Sequence, residues 1–195
     1  DAKTIFASVL TSMDSDYQNS SHKELASHIV RLLAASRRGL RHDDIAKLVA
    51  VETDQHDPAD NRPRLADAIL SPLLARLENF CLRDDGRLYI MHDALLSVAF
   101  YNEEKLKQGR QQLIAYFEGE SGHSVAERVH QYRALQDTNG LVSTLGQLEA
   151  TLSLWEYEPL LLRLALYELG AGKSEATAAC EEIGLAWAEF FQPNS

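Results

Sequence analysis

The chain has 195 residues, 45% apolar and 25% charged, enough to build one large domain or two small ones around real cores. The formal net charge of −10 divides unevenly: residues 1–101 carry 12 Lys/Arg against 15 Asp/Glu, and residues 102–195 carry 7 against 14. Acidity in both halves argues against a basic nucleic-acid-binding face, and no apolar run reaches membrane-spanning length. Cys81 and Cys180 lie far apart in sequence; two cysteines cannot make a disulfide framework for a chain this size, and no Cys-x-x-Cys pair suggests zinc. Both are read as reduced and partly buried, which favours a cytoplasmic setting. The chain begins at Asp1 without a signal peptide, and we expect it to be a segment of something longer.

In chain order, Ile5, Phe6, Val9, Leu10 and Met13 make a helical stripe over residues 2–17. The polar break "YQNSSHKE" follows, where Ser20 or Ser21 can cap the next helix with Glu24 completing a capping box. That helix carries Leu25, Ile29, Val30, Leu32 and Leu33 and stops at Gly39. A short helix spans His42 to about Ala50, with Ile45, Leu48 and Val49 inward. Residues 51–63, "VETDQHDPADNRP", read as a surface loop.

A further helix is expected over 64–79, with Leu65, Ile69, Leu73 and Leu77 on one stripe. Pro72 either starts its main part, after Ser71, or kinks its first turn. "NFCLR" and "RLYIM" flank Asp84-Asp85-Gly86, a strong hairpin signal. Residues 22–101 therefore read as three helices followed by a two-stranded wing, the order of a winged-helix domain. After Tyr101 the pattern is helical, over roughly 102–118, 123–135, 137–152, 156–169 and 173–191, and short connections favour antiparallel stacking. The last of these has the alanine-rich look of a tetratricopeptide helix. The expected class is mostly α: a linker helix in 1–21, a winged-helix domain in 22–101, and a helical arm in 102–195.

"RLYIMHDALLSVAF", residues 87–100, holds the sharpest candidate site. His92-Asp93 sits where a strand hands over to a helix. The plain reading makes Asp93 a helix cap and His92 a loop residue. A phosphate-sensing reading has the His92 ring donating an N–H to a phosphate, aided by the helix dipole. A metal-dependent phosphohydrolase would need more ligands, for which His22, His28 and Asp137 could be recruited, but nothing fixes their spacing. Arg37, Arg38 and Arg41 cluster at one turn and read as solvated. The third helix, where a winged helix reads DNA, is neutral, with Arg64 and Arg76 against Asp67 and Glu78. Trp155 and Tyr157, with Leu152 and Leu154, read as core packing, a partner surface being the alternative. Trp187, Phe190 and Phe191 read the same way. "GAGKSEAT" at 170–177 lacks the earlier glycine and the preceding strand of a phosphate loop.

Met91-His92-Asp93, at the end of the wing, resembles the Met-His-Asp motif in the winged-helix domain of STAND-class signal-transduction ATPases. These include plant nucleotide-binding leucine-rich-repeat receptors and apoptotic-protease activators. "HIVRLLAASRRGLRHDDIAKLV" and "ILSPLLARLENFCLRDDGRLYIMHD" look like the winged-helix segments of NACHT-type members. "EKLKQGRQQLIAYFE" and the region through "LWEYEPLLLRLALYEL" look like the helices that follow. The resemblance covers about residues 2–170.

It implies a regulatory module rather than an enzyme, because the chain carries no Walker segments; an ATPase core would precede it in a nucleotide-hydrolysing parent. By the resemblance, His92 would contact the β-phosphate of ADP, Asp93 would brace the junction, and Met91 would pack under the wing. No cofactor is expected within the chain itself, with ADP or ATP and Mg expected in the parent. The implied partners are the ATPase core and a C-terminal sensor of the same polypeptide, with self-association on activation in defence or cell-death signalling. A winged-helix DNA-binding regulator with a helical effector domain, and a plain helical interaction module, remain alternatives.

Overall fold

The computed structural model describes residues 2–17, 22–51, 54–56, 63–118 and 123–170. The chain is mostly helical with a small three-stranded sheet. It divides into two compact units, Asp1–Gln112 and Leu113–Ser195.

In the first unit, helices α1 (Ala2–Ser15) and α2 (Leu25–Ala35) precede strand β1 (Leu40–Arg41) and helix α3 (His42–Leu48). A two-residue pair follows, β2 (Gln55–His56) with β3 (Pro63–Arg64), within and just past the stretch 51–63 expected to be a surface loop. Then come α4 (Asp67–Leu77), a 3-10 turn (Glu78–Phe80), β4 (Cys81–Asp84), β5 (Arg87–Ile90) and α5 (Asp93–Ala99). The helix expected from residue 64 thus starts three residues later, with Arg64 in β3, and Pro72 lies within it.

Helix α2 is the centre of this unit, with Ala26, Ile29, Val30, Leu32 and Ala35 fully buried. It packs on α1, α5 and β5. Its start is capped from a distance. Asp14 of α1 accepts hydrogen bonds from the Ala26 and Ser27 amides at 2.8 and 3.2 Å and from the Ser27 hydroxyl. Glu24, expected to close a capping box, instead holds the N-cap position with a left-handed backbone and makes no side-chain cap bond. Ser20 and Ser21 lie outside the described residues.

The wing forms where Asp-Gly demands it. Asp85 and Gly86 both have positive φ, 47° and 72°, the pattern of a type I′ turn, and β4 pairs antiparallel with β5. The sheet is completed by β1, a strand that the local pattern does not reveal, giving the order β1-β5-β4 with Leu40 opposite Leu88. Gly39, expected to end α2, instead makes the turn into β1 at φ 65°. A Cβ there would stand 2.2 Å from the Leu88 carbonyl oxygen. Cys81 is a buried free thiol, pushed up to about 11 by burial and then by Glu78.

His28 of α2 is half-buried and hydrogen-bonds through Nε2 to Gln112 Oε1 at 2.9 Å, so that nitrogen carries the proton. The Gln112 amide group in turn donates to the Leu48 carbonyl. Burial pushes the His28 imidazole down, outweighing the Gln112 bond that favours its charged form.

Helix α6 (Glu103–Tyr116) runs across the division between the units. The second unit continues with α7 (His123–Leu135), α8 (Thr138–Leu145), α9 (Leu148–Tyr157) and α10 (Pro159–Gly170). Its core gathers Val125, Val129, Leu141, Leu145, Leu154, Leu162 and Ala165. The continuous helix expected over 137–152 is broken into α8 and α9. Asp137 caps α8 through the Gly140 amide, and the buried Thr151 hydroxyl donates to the Leu145 carbonyl across the corner. Gly140 lets Tyr132 lie flat on α8, since a Cβ there would come within 2.2 Å of the ring. Arg133 forks onto the Glu168 carboxylate, tying α7 to α10. The helix expected over 173–191 lies outside the described residues, with Cys180, Trp187, Phe190 and Phe191.

Two outcomes test this account. Gly39→Ala should destabilise the first unit by about 2–3 kcal/mol in urea unfolding, because it combines a positive φ with a backbone clash. His28 supplies a pH dependence. Its folded pKa is depressed, so below about pH 6.5 the unfolded chain binds a proton that the folded one refuses. The urea midpoint should therefore fall as pH drops from about 7 towards about 5.5, and His28→Gln should flatten that slope.

Candidate functional site

The wing delivers His92 to the surface. Strand β5 ends at Ile90, the Met91 amide still donates to the Phe80 carbonyl at 3.4 Å, and His92 then turns the chain into α5. His92 itself holds the N-cap position, its carbonyl accepting from the Leu95 and Leu96 amides at 2.9 and 3.1 Å. Asp93, expected as the cap, is instead the first helical residue, and the α5 N-terminus has no side-chain cap bond. Its carbonyl accepts from the Ser97 hydroxyl one turn on. Helix α5 has seven residues, fewer than two turns of aligned peptide dipoles. Any contact at this junction therefore depends chiefly on the imidazole.

The ring is exposed but held. It lies 5.7 Å from the Phe6 ring, which meets Phe80 edge-on at 5.3 Å. Phe6 comes from α1 and is itself backed by Phe80 from the turn before β4, so the imidazole rests on a ring that a second element supports. Among the described residues it makes no hydrogen bond, which leaves both ring nitrogens available to a ligand. Met91 does not pack under the wing. It is 55% exposed, because the short hairpin directs this position outward past the end of β5. The Phe6–Phe80 contact was not apparent from the sequence, where Phe6 reads only as one member of an amphipathic stripe.

The other candidates are dispersed. His22 is buried against Asp54, with Nε2 to Oδ1 at 3.1 Å. His28 is committed to Gln112, and Asp137 to the start of α8. Among the described residues no group of three or more His, Cys, Asp or Glu is arranged to hold a metal ion. Arg37 is half-buried and Arg38 and Arg41 are exposed around the Gly39 turn. Arg64 of β3 pairs with Asp43 and Asp67, and Arg76 of α4 with Asp16 at 2.6 Å, so both cations are engaged within the chain.

Trp155 and Tyr157 are not core residues: they are 68% and 58% exposed. Helix α9 buries Ala150, Thr151 and Leu154, which leaves Leu152 and Trp155 on its outer side. Helix α10 is apolar on both sides. Leu161, Leu162, Ala165 and Leu169 face the core, while Leu160, Leu164 and Tyr167 are exposed at helical spacing. With apolar residues at so many of its positions, the segment does not reveal from composition which of its faces stays outside.

Among the described residues no helix is long and apolar enough to cross a membrane. No family model matches the chain, and no match was found among curated proteins or solved structures.

Proposed function

We propose that the chain is the winged-helix switch and helical arm of a STAND-type nucleotide-dependent signalling protein, with His92 as its contact to the phosphates of bound ADP. The observation that carries this reading is the His92 imidazole itself: exposed, braced by Phe6 and Phe80, and without a hydrogen bond among the described residues, at the end of the wing. The element order supports it. Helix α2, strand β1, helices α3 and α4 and hairpin β4–β5 follow the order of a winged helix, and the sheet order β1-β5-β4 suits that fold. The engagement of Arg76 on α4, and of Arg64 just before it, with carboxylates of the chain weighs against reading α4 as a DNA-binding helix.

On this reading the nucleotide is held with Mg by an ATPase core of the same polypeptide, and His92 closes the site from outside. A charge-assisted hydrogen bond is worth about 1.5–3 kcal/mol. Because the bond exists only in the closed state, it biases the closed–open balance by roughly 10- to 150-fold. The arm carries that change towards a C-terminal sensor, and opening permits self-association in the cytoplasm. The exposed stripe on α9 and α10 suits an arm that continues into further helices.

Two experiments test this. In the full-length protein, His92→Ala should speed ADP release, measured by chasing a fluorescent ADP analogue, by about 10- to 150-fold. An unchanged off-rate would remove His92 from the mechanism. The isolated chain should leave duplex DNA unbound in fluorescence anisotropy even at low salt, whereas salt-dependent binding would favour a DNA-binding regulator instead.

A further inference from the structure

Apart from His92, the first unit contains a cavity of about 650 Å³ lined by α1, α2 and the corner between α5 and α6. That volume lies within the range of sites for small organic ligands. Leu10, Val30, Val98 and Ala99 supply its apolar wall. Its polar side brings together Lys23, Arg31 and Lys105 in a chain whose net charge is −10. Two carboxylates stand with them, but their situations differ. Asp14 is spent on the α2 amides and the Ser27 hydroxyl. Glu24 bonds to Lys105 and stands 3.7 Å from Arg31, on a backbone at φ 57° that side chains rarely adopt.

Arg31 is the informative member. Its side chain is only 14% exposed, yet among the described residues its one ion pair is that long approach to Glu24. A guanidinium has five N–H donors in a planar fork. Burial pushes Arg31 down from the usual arginine range, against the opposing fields of Glu24 and Asp14. Glu24 is held low chiefly by the Lys105 bond and is half exposed, so it can swing out.

We propose that this cavity binds a small organic anion. Its charged head lies on Arg31 and Lys105, where it displaces the Glu24 carboxylate, and its apolar body lies on Leu10, Val30 and Val98. The head can be a carboxylate, sulfonate or phosphoryl group, since all three present oxygens to the same fork. Asn102 accepts from the Lys105 amide at the start of α6 and so fixes the Lys105 backbone beside the site. The proposal is independent of the His92 reading, because no residue of the cavity belongs to the Met91–Asp93 junction.

The test uses two dyes with nearly the same rings: 1-anilinonaphthalene-8-sulfonate, an anion, and N-phenyl-1-naphthylamine, which is neutral. The intact chain should bind the anion saturably. Arg31→Met should weaken the anion by about tenfold or more while leaving the neutral dye within about twofold. Glu24→Gln should tighten the anion, because it removes the competing carboxylate, and a damaged fold would not produce that gain. Circular dichroism melts confirm that each variant is folded. The proposal is overturned if the chain does not bind the anion, if its affinity is the same in all three proteins, or if both dyes weaken together in Arg31→Met. Loss of anion binding in Leu164→Asn, with Arg31→Met unaffected, would also overturn it by assigning the dye to the α9–α10 stripe.

Discussion

The first unit depends on the burial of most of helix α2, all but a face of Ser27, His28, Arg31 and Ala34. A helix with Ala26, Ile29, Val30, Leu32 and Ala35 all out of solvent must be covered by more than one neighbour. The cover comes from α1, α5 and β5. At about 25 cal/mol per Å² of apolar surface, such a helix gives the strongest single reason for those elements to assemble. Glu24, at the N-cap on a left-handed backbone, makes no side-chain cap bond, and a carboxylate from α1 meets the first amides instead. Strand β1 then leaves α2 through a glycine turn so tight that the neighbouring strand's carbonyl occupies the space of a side chain. The position of the wing, and of the imidazole at its end, follows from that packing.

Much of this was legible from residue order. The stripes in 2–17 and 25–33, the Asp-Gly turn and the helical character after Tyr101 all follow from periodicity and turn chemistry. What escaped was whatever depended on residues distant in sequence. Strand β1 has two residues and no pattern of its own; its partners Arg87 and Leu88 lie far along the chain. The Asp14 cap joins one helix to the next, so it leaves no signal in the residues just before α2. The break between α8 and α9 rests on a hydroxyl reaching back six residues, which neither helix announces.

The candidate site divides in the same way. That His92 stands at a strand–helix junction was readable, and so was its chemistry. Its brace was not, since Phe6 and Phe80 are separated from it by whole elements. Trp155 and Tyr157 show the opposite difficulty: an aromatic at helical spacing reads as core, yet here the core takes Ala150, Thr151 and Leu154 and turns the large rings outward. The charged cavity was invisible in the sequence, because Arg31 looks like one polar position on an amphipathic helix until its counter-ions are placed.

The Asp14 cap has a mechanical consequence. Because the first amides of α2 are satisfied by a side chain on another helix, the start of α2 registers where α1 is. A pull on α1 would be felt first as broken hydrogen bonds at one end of the central helix, before any apolar contact had to open. Hydrogen bonds of this kind lose their strength over a fraction of an ångström, whereas apolar packing yields more gradually. The joint between the two helices is therefore stiff to small displacements and brittle to larger ones, as a tripwire is.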